Sequence, residues 1–170
     1  LRPIEHLRTL FRPDDLDGAL PLGEVQSLAL PFESYKLAYT PGLVTAIYGG
    51  RVTAAILETE GRYVHSAGDA NWWIPSGRMF YSPGSTDPPT QELAHARLHF
   101  FLPCRYRDPF HTPTVATENF VAYDAYDLLM LETRDALGNR VTVGERDVAG
   151  DLTIFGNDYR VLQPARVMDP

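Results

Sequence analysis

Leu128-Leu129-Met130-Leu131-Glu132-Thr133-Arg134-Asp135-Ala136-Leu137-Gly138-Asn139-Arg140-Val141-Thr142-Val143 is the stretch that decides the fold. Leu128 to Arg134 predicts a strand, Asp135 to Asn139 a turn, and Arg140 to Val143 a strand that pairs back. Gly138 and Asn139 are the residues there that tolerate the positive φ of a tight hairpin turn. From Phe101 to the end, other segments rich in Val, Thr, Tyr and Leu alternate with turn residues, so the last third predicts antiparallel hairpins. No tandem repeat covers the whole chain. A loose 34-residue echo sets Asp124, Leu128 and Asp135 against Asp158, Leu162 and Asp169.

Toward the N-terminus the pattern becomes helical. Ile4, Leu7, Leu10 and Phe11 fall on one stripe behind Pro3, which predicts a helix over 3–11. Pro13 to Gly23 is acidic and turn-rich, and Val25 to Pro31 reads as a short buried strand or extended piece. Thr40-Pro41 predicts a helix start, with Thr40 as N-cap and Gly49 as the stop. Thr53 predicts the cap of a second short helix that ends at Gly61. Tyr63 to Ser82 carries Trp72, Trp73, Phe80 and Tyr81 among glycines and prolines, the composition of aromatic β structure with tight turns. Ser82 to Thr90 is a loop and the best internal hinge. It leads into a third helix over 91–100, with Leu93, Ala96 or Arg97, and Phe100 sharing one side. The fold class is therefore α+β, with short helices in residues 1–100 and hairpins in 101–170.

Composition sets outer limits. The 170 residues suit one compact domain, and the net charge of −7 runs against the basic footprint that nucleic-acid binding requires. Lys36 is the single lysine beside 14 arginines, and arginine suits large packed surfaces through stacking and bidentate pairing. Cys104 is the only cysteine, so an intrachain disulfide is impossible. No apolar run approaches the roughly 18 residues that span a membrane, so direct membrane insertion is not expected. The chain begins at Leu1 and stops at Asp169-Pro170 without a polar tail. Both ends look like cuts in a longer polypeptide, and other segments of that parent are the first partners to expect.

Tyr123-Asp124, followed by Leu128 to Thr133 and Asp135 to Thr142, resembles a YD repeat of the Rhs family. Asn157-Asp158-Tyr159-Arg160 resembles a second copy that departs from the Tyr-Asp order. The resemblance extends to Leu28–Ala38, to Gly68–Arg78 and to Phe100-Phe101-Leu102-Pro103, which look like the middle region of the B component of insecticidal toxin complexes. It implies a single fragment, 1–170, of a larger shell protein, in which B and C components build a hollow β shell around a cytotoxic segment. The shell docks on a pore-forming A component, so the C and A components are the implied partners. The implied role is structural and non-catalytic, in a secreted protein made in the bacterial cytoplasm. Tyr123, Asp124, Asp135, Gly138 and Asn139 are the implied structural motif.

Each candidate for chemistry has a plainer reading. His95 and His99 stand at i, i+4, which puts two imidazoles on one helix face, but no third zinc ligand is evident and packing is favoured. His65 near Asp69 would make a dyad, yet no serine nucleophile lies in an elbow sequence. Glu58-Thr59-Glu60 echoes the paired glutamates of mono-ADP-ribosyltransferase toxins. Arg51 is too near to supply the arginine strand, however, and a Ser-Thr-Ser strand is missing. Cys104 has no protease-like partners. Trp72-Trp73, beside Asp69 and Asn71, suggests a glycan-binding β module or an interaction surface. Since neighbours on a strand face opposite ways, one Trp is expected in the core and the other on a solvent or interdomain face. No catalytic residue, metal or cofactor is expected.

Overall fold

A computed structural model describes residues 5–169. It is a mixed α+β fold in which short antiparallel strands predominate. The chain divides into two compact units, the first running to Met79 with Asp108–Phe110 added, the second comprising Phe80–Arg107 and the chain from His111 on.

In the first unit, β1 (Leu7–Phe11) pairs antiparallel with β2 (Pro31–Tyr39), Leu7 opposite Lys36 and Leu10 opposite Glu33. β2 pairs in turn with β3 (Trp72–Phe80), with Leu37 opposite Trp73 and Lys36 opposite Ile74. Residues 7–11 are thus a strand and not the helix that their spacing predicts; Pro3 and Ile4 lie outside the described residues. A five-residue run fits either period, and pairing with β2 decides between them. The buried strand over Val25 to Pro31 is also corrected: residues 25–30 are turn and coil, with Val25 57% exposed, and Pro31 opens β2. The helices form where their caps predict. α1 (Pro41–Tyr48) begins with the Thr40 side chain accepting from the Leu43 N–H, and Gly49 ends it at φ +59. α2 (Ala54–Thr59) begins with Thr53 accepting from the Ile56 N–H. The core of this unit holds Leu16, Tyr35, Leu57, Trp72 and Trp73.

In the second unit, α3 (Pro89–Leu98) precedes a meander of β4 (Arg105–Arg107), β5 (Glu118–Tyr123), β6 (Met130–Arg134) and β7 (Arg140–Thr142). Each is antiparallel to the next. Two further hairpins follow: β8 (Gly144–Arg146) with β9 (Leu152–Phe155), and β10 (Asn157–Asp158) with β11 (Gln163–Pro164). α3 buries the predicted stripe only at Ala96. Its buried residues are Glu92 and Ala96, while Phe100 is exposed. The Glu92 carboxylate accepts the Tyr81 N–H at 2.9 Å, so a polar contact and not a leucine face seats the helix. Among the described residues, no helix is long and apolar enough to cross a membrane.

Candidate functional site

The hairpins of the second unit share one device. At the β5–β6 turn, Asp124 Oδ1 accepts from the N–H groups of Tyr126, Leu128 and Leu129 at 3.2, 2.8 and 3.3 Å. At the β6–β7 turn, Asp135 Oδ1 accepts from Leu137 and Asn139 N–H, both at 2.9 Å. At the β8–β9 turn, Asp147 Oδ1 accepts from Ala149 and Asp151 N–H at 2.9 and 3.0 Å. In all three the residue three places on donates its N–H to the aspartate carbonyl and has positive φ: Asp127 at +55, Gly138 at +91, Gly150 at +88. The β10–β11 turn follows in part, with Asp158 Oδ1 accepting from Arg160 N–H and positive φ one place later, at Leu162. An Asp carboxylate bonded to its own following N–H groups is the mechanism by which this residue nucleates turns.

These aspartates stand at 124, 135, 147 and 158, so the chain repeats every 11 or 12 residues. The 34-residue echo is three such steps. Sequence reasoning missed Asp147, although the signal was present: Arg134-Asp135-Ala-Leu-Gly138 recurs as Arg146-Asp147-Val-Ala-Gly150. The turns at 124 and 158 lack glycine at the positive-φ position, which hides them from a search for Asp-x-x-Gly.

Asp124 does more than cap its own turn. It is 6% exposed, and its Oδ2 accepts the Tyr159 hydroxyl at 2.8 Å, tying the β5–β6 turn to the β10–β11 turn. Burial opposes its charge, but the hydrogen bonds from Leu128, Tyr159, Leu129 and Tyr126 outweigh that and hold the carboxyl below its ordinary range. Tyr123 donates its hydroxyl to the Pro103 carbonyl at 3.0 Å, fixing the other half of the Tyr-Asp pair to the preceding loop.

A second cluster lies between β4 and β5. Glu118 Oε1 accepts from Arg105 Nη1 at 2.6 Å and from Arg107 Nη2 at 2.7 Å, and both guanidiniums stack on Phe80. Arg105 and Glu118 are 2% and 7% exposed. Burial raises the Glu118 pKa, but the two guanidiniums pull it below the usual carboxylate range.

The remaining candidates fall apart as a site. His65 Nδ1 lies 2.9 Å from the Asn71 carbonyl, while Asp69 accepts from Trp73 Nε1 at 2.9 Å and pairs with Arg8 at 2.8 Å, so the two form no dyad. Trp72 and Trp73 are both buried, at 7% and 0% exposure, which corrects the expectation that one faces outward. The Arg8 guanidinium covers the Trp73 ring at 3.9 Å, and His65 lies on Trp72 with centroids 4.2 Å apart. Glu58 and Glu60 are exposed at the C-terminal end of α2, and Arg51 is exposed in the bend before it. The Cys104 thiol is half-buried, and burial pushes its pKa up to about 11. His95 and His99 stack with centroids 4.2 Å apart and border a cavity of about 240 Å³. Among the described residues, no group of three or more His, Cys, Asp or Glu side chains is arranged to hold a metal.

The chain matches no protein-family model and no curated protein sequence. Its fold is similar to that of solved structures. A crystal structure of TcdB2-TccC3-TEV aligns with a TM-score of 0.59 at 15% identity, over 96% of this chain and 7% of that one. A crystal structure of TcdB2-TccC3 aligns with the same TM-score and identity, over 95% of this chain and 7% of that one. The chain therefore spans about a fourteenth of the polypeptides it matches, and its fold is that of a segment within these toxin-complex structures.

Proposed function

We propose that the chain is a non-catalytic wall segment of a toxin-encapsulating β shell, built from YD-type hairpins. The observation that carries this reading is the row of four aspartate-nucleated hairpin turns at 11- and 12-residue steps, in a chain whose fold matches TcdB2-TccC3 along almost its whole length. A hairpin that sets its own turn can be added to a sheet repeatedly, which is what a wall requires. In this reading the remaining partners are further segments of the same parent and the C and A components, and the assembled product is secreted.

Exposed apolar side chains support it. Leu137, Val148, Phe155, Val161 and Leu162 in the hairpin region are all more than half exposed. Surfaces of that kind mark contacts with further protein. The test is multi-angle light scattering of the purified chain across a concentration series, with a hydrophobic dye added. Self-association or strong dye binding is expected. A monomer that leaves the dye dark would overturn the wall reading, because its edges and apolar faces would need no neighbours.

A further inference from the structure

We infer that Arg134, stacked on Phe120, anchors a glutamate or aspartate side chain of an acidic peptide that docks on one face of the β4–β7 meander. The inference stands apart from the wall reading and uses residues of the second unit alone. Strand register carries it. Arg105 lies opposite Phe120, Phe120 opposite Arg134, and Arg134 opposite Arg140, so these four side chains form one row across a single sheet face. The Arg134 guanidinium lies over the Phe120 ring, 4.5 Å from its centroid, which holds the planar fork in one orientation. Like charges directly opposite one another destabilise a sheet, and Arg134 and Arg140 stand in that relation. An anion seated beside them would relieve the repulsion.

The carboxylates beside the row are already engaged. Glu118 accepts from Arg105 and Arg107. Glu132 pairs with Arg146, lies 3.9 Å from Arg140 Nε and accepts the Thr142 hydroxyl at 3.0 Å. Among the described residues, Arg134 pairs with no carboxylate. Arg134 and Glu132 line a cavity of about 210 Å³ together with Pro83, Phe120 and Ala122. At about 30 Å³ per water, that space holds several waters and therefore one acidic side chain. Pro83, Phe120 and Ala122 receive its methylenes, and the guanidinium receives its charge through a bidentate pair. The chain as a whole carries a net charge of −7, which repels a long polyanion such as nucleic acid. A short acidic peptide needs only this row, and so it is the partner that fits.

The experiment is fluorescence anisotropy of the whole chain with a labelled peptide of alternating glutamate and threonine, at low salt and at about 0.15 M ionic strength. Saturable binding that weakens with salt is expected. A peptide with glutamine in place of glutamate, and a labelled thymidine oligonucleotide, are both expected to bind far more weakly. Arg134→Gln should reduce affinity for the acidic peptide about tenfold or more, with the near-ultraviolet dichroism unchanged. Arg134→Lys keeps the charge without the stacked fork and should show an intermediate loss. Arg160→Gln removes an exposed guanidinium already paired with Asp158 and should change nothing. NMR of the unsubstituted protein decides the matter even if a variant fails to fold: the Arg134 Nε–H signal should move on peptide addition while that of Arg160 stays in place. Absence of binding, equal binding of the glutamine peptide, tighter binding of the oligonucleotide, or full affinity in Arg134→Gln or Arg134→Lys overturns the proposal.

Discussion

Replacing Asp124 with alanine tests whether one carboxylate joins two turns of the hairpin row. It accepts four hydrogen bonds: the N–H groups of Tyr126, Leu128 and Leu129, and the Tyr159 hydroxyl. The bonds from Tyr126 and Leu129 are long, at 3.2 and 3.3 Å, and contribute little. The 2.8 Å bonds from the Leu128 N–H and the Tyr159 hydroxyl carry the loss, at about 1.5 kcal/mol each for hydrogen bonds to a charged group. Asp124→Ala should therefore destabilise by about 2–3 kcal/mol, and lower the melting temperature by about 2–4 °C for each of those kilocalories. Asp124→Asn keeps one acceptor oxygen and should cost about 1 kcal/mol. Tyr159→Phe should couple to Asp124→Ala by about 1 kcal/mol in a double-mutant cycle read by urea denaturation. The lowered pKa sets the sign with pH. Stability from the ionised carboxylate is present above its unfolded value, near about pH 4, and is lost as pH falls through the lower folded value. The gap between the parent and Asp124→Asn should thus close on acidification. Strict additivity of Asp124→Ala and Tyr159→Phe, or a melt within a degree of the parent for the alanine variant, would refute the link.

Gly138→Val and Gly150→Val place a branched side chain at φ +91 and +88, so each should cost about 1–3 kcal/mol in a thermal melt, and equal losses would support the equivalence of the two turns. Glu118→Gln leaves the buried Arg105 and the partly exposed Arg107 without their counter-charge; a loss of about 3 kcal/mol is expected by chemical denaturation, and a loss below 1 kcal/mol would mean that the cluster is solvated. Cys104, with its thiol pushed up to about 11 by burial, should react with iodoacetamide at pH 8 far more slowly than a free thiol until the chain is unfolded in urea; equal rates would place it at the surface.

What the sequence made legible was local. Thr40-Pro41 and Thr53 announce α1 and α2 because a cap is written within four residues of the helix it starts. The Asp135–Asn139 turn is legible for the same reason. The misread elements depend on distant partners. Residues 7–11 become a strand through Ser34 and Tyr35, more than twenty residues away. Trp72 and Trp73 are both covered because Arg8 and His65 supply a polar lid on each ring, and alternation along a strand says nothing about lids. α3 misleads a hydrophobic search because its seat is Glu92. Of the candidate groups, the Tyr-Asp pair could be marked by resemblance and the histidine pair by spacing. The acceptors that give each its character, Pro103, Tyr81 and Asp127, lie 14 to 28 residues from the side chains they hold and could not.

The aspartate turns also bear on how such a chain reaches its fold. Each hairpin needs only its own dozen residues to choose its register, so the contacts that form it are short in sequence and cheap in loop-closure entropy. A polypeptide assembled this way can order itself from one end as it leaves the ribosome, hairpin upon hairpin, without waiting for a distant strand. Unpaired edges then exist only at the growing front, which limits the time during which one nascent chain can capture another.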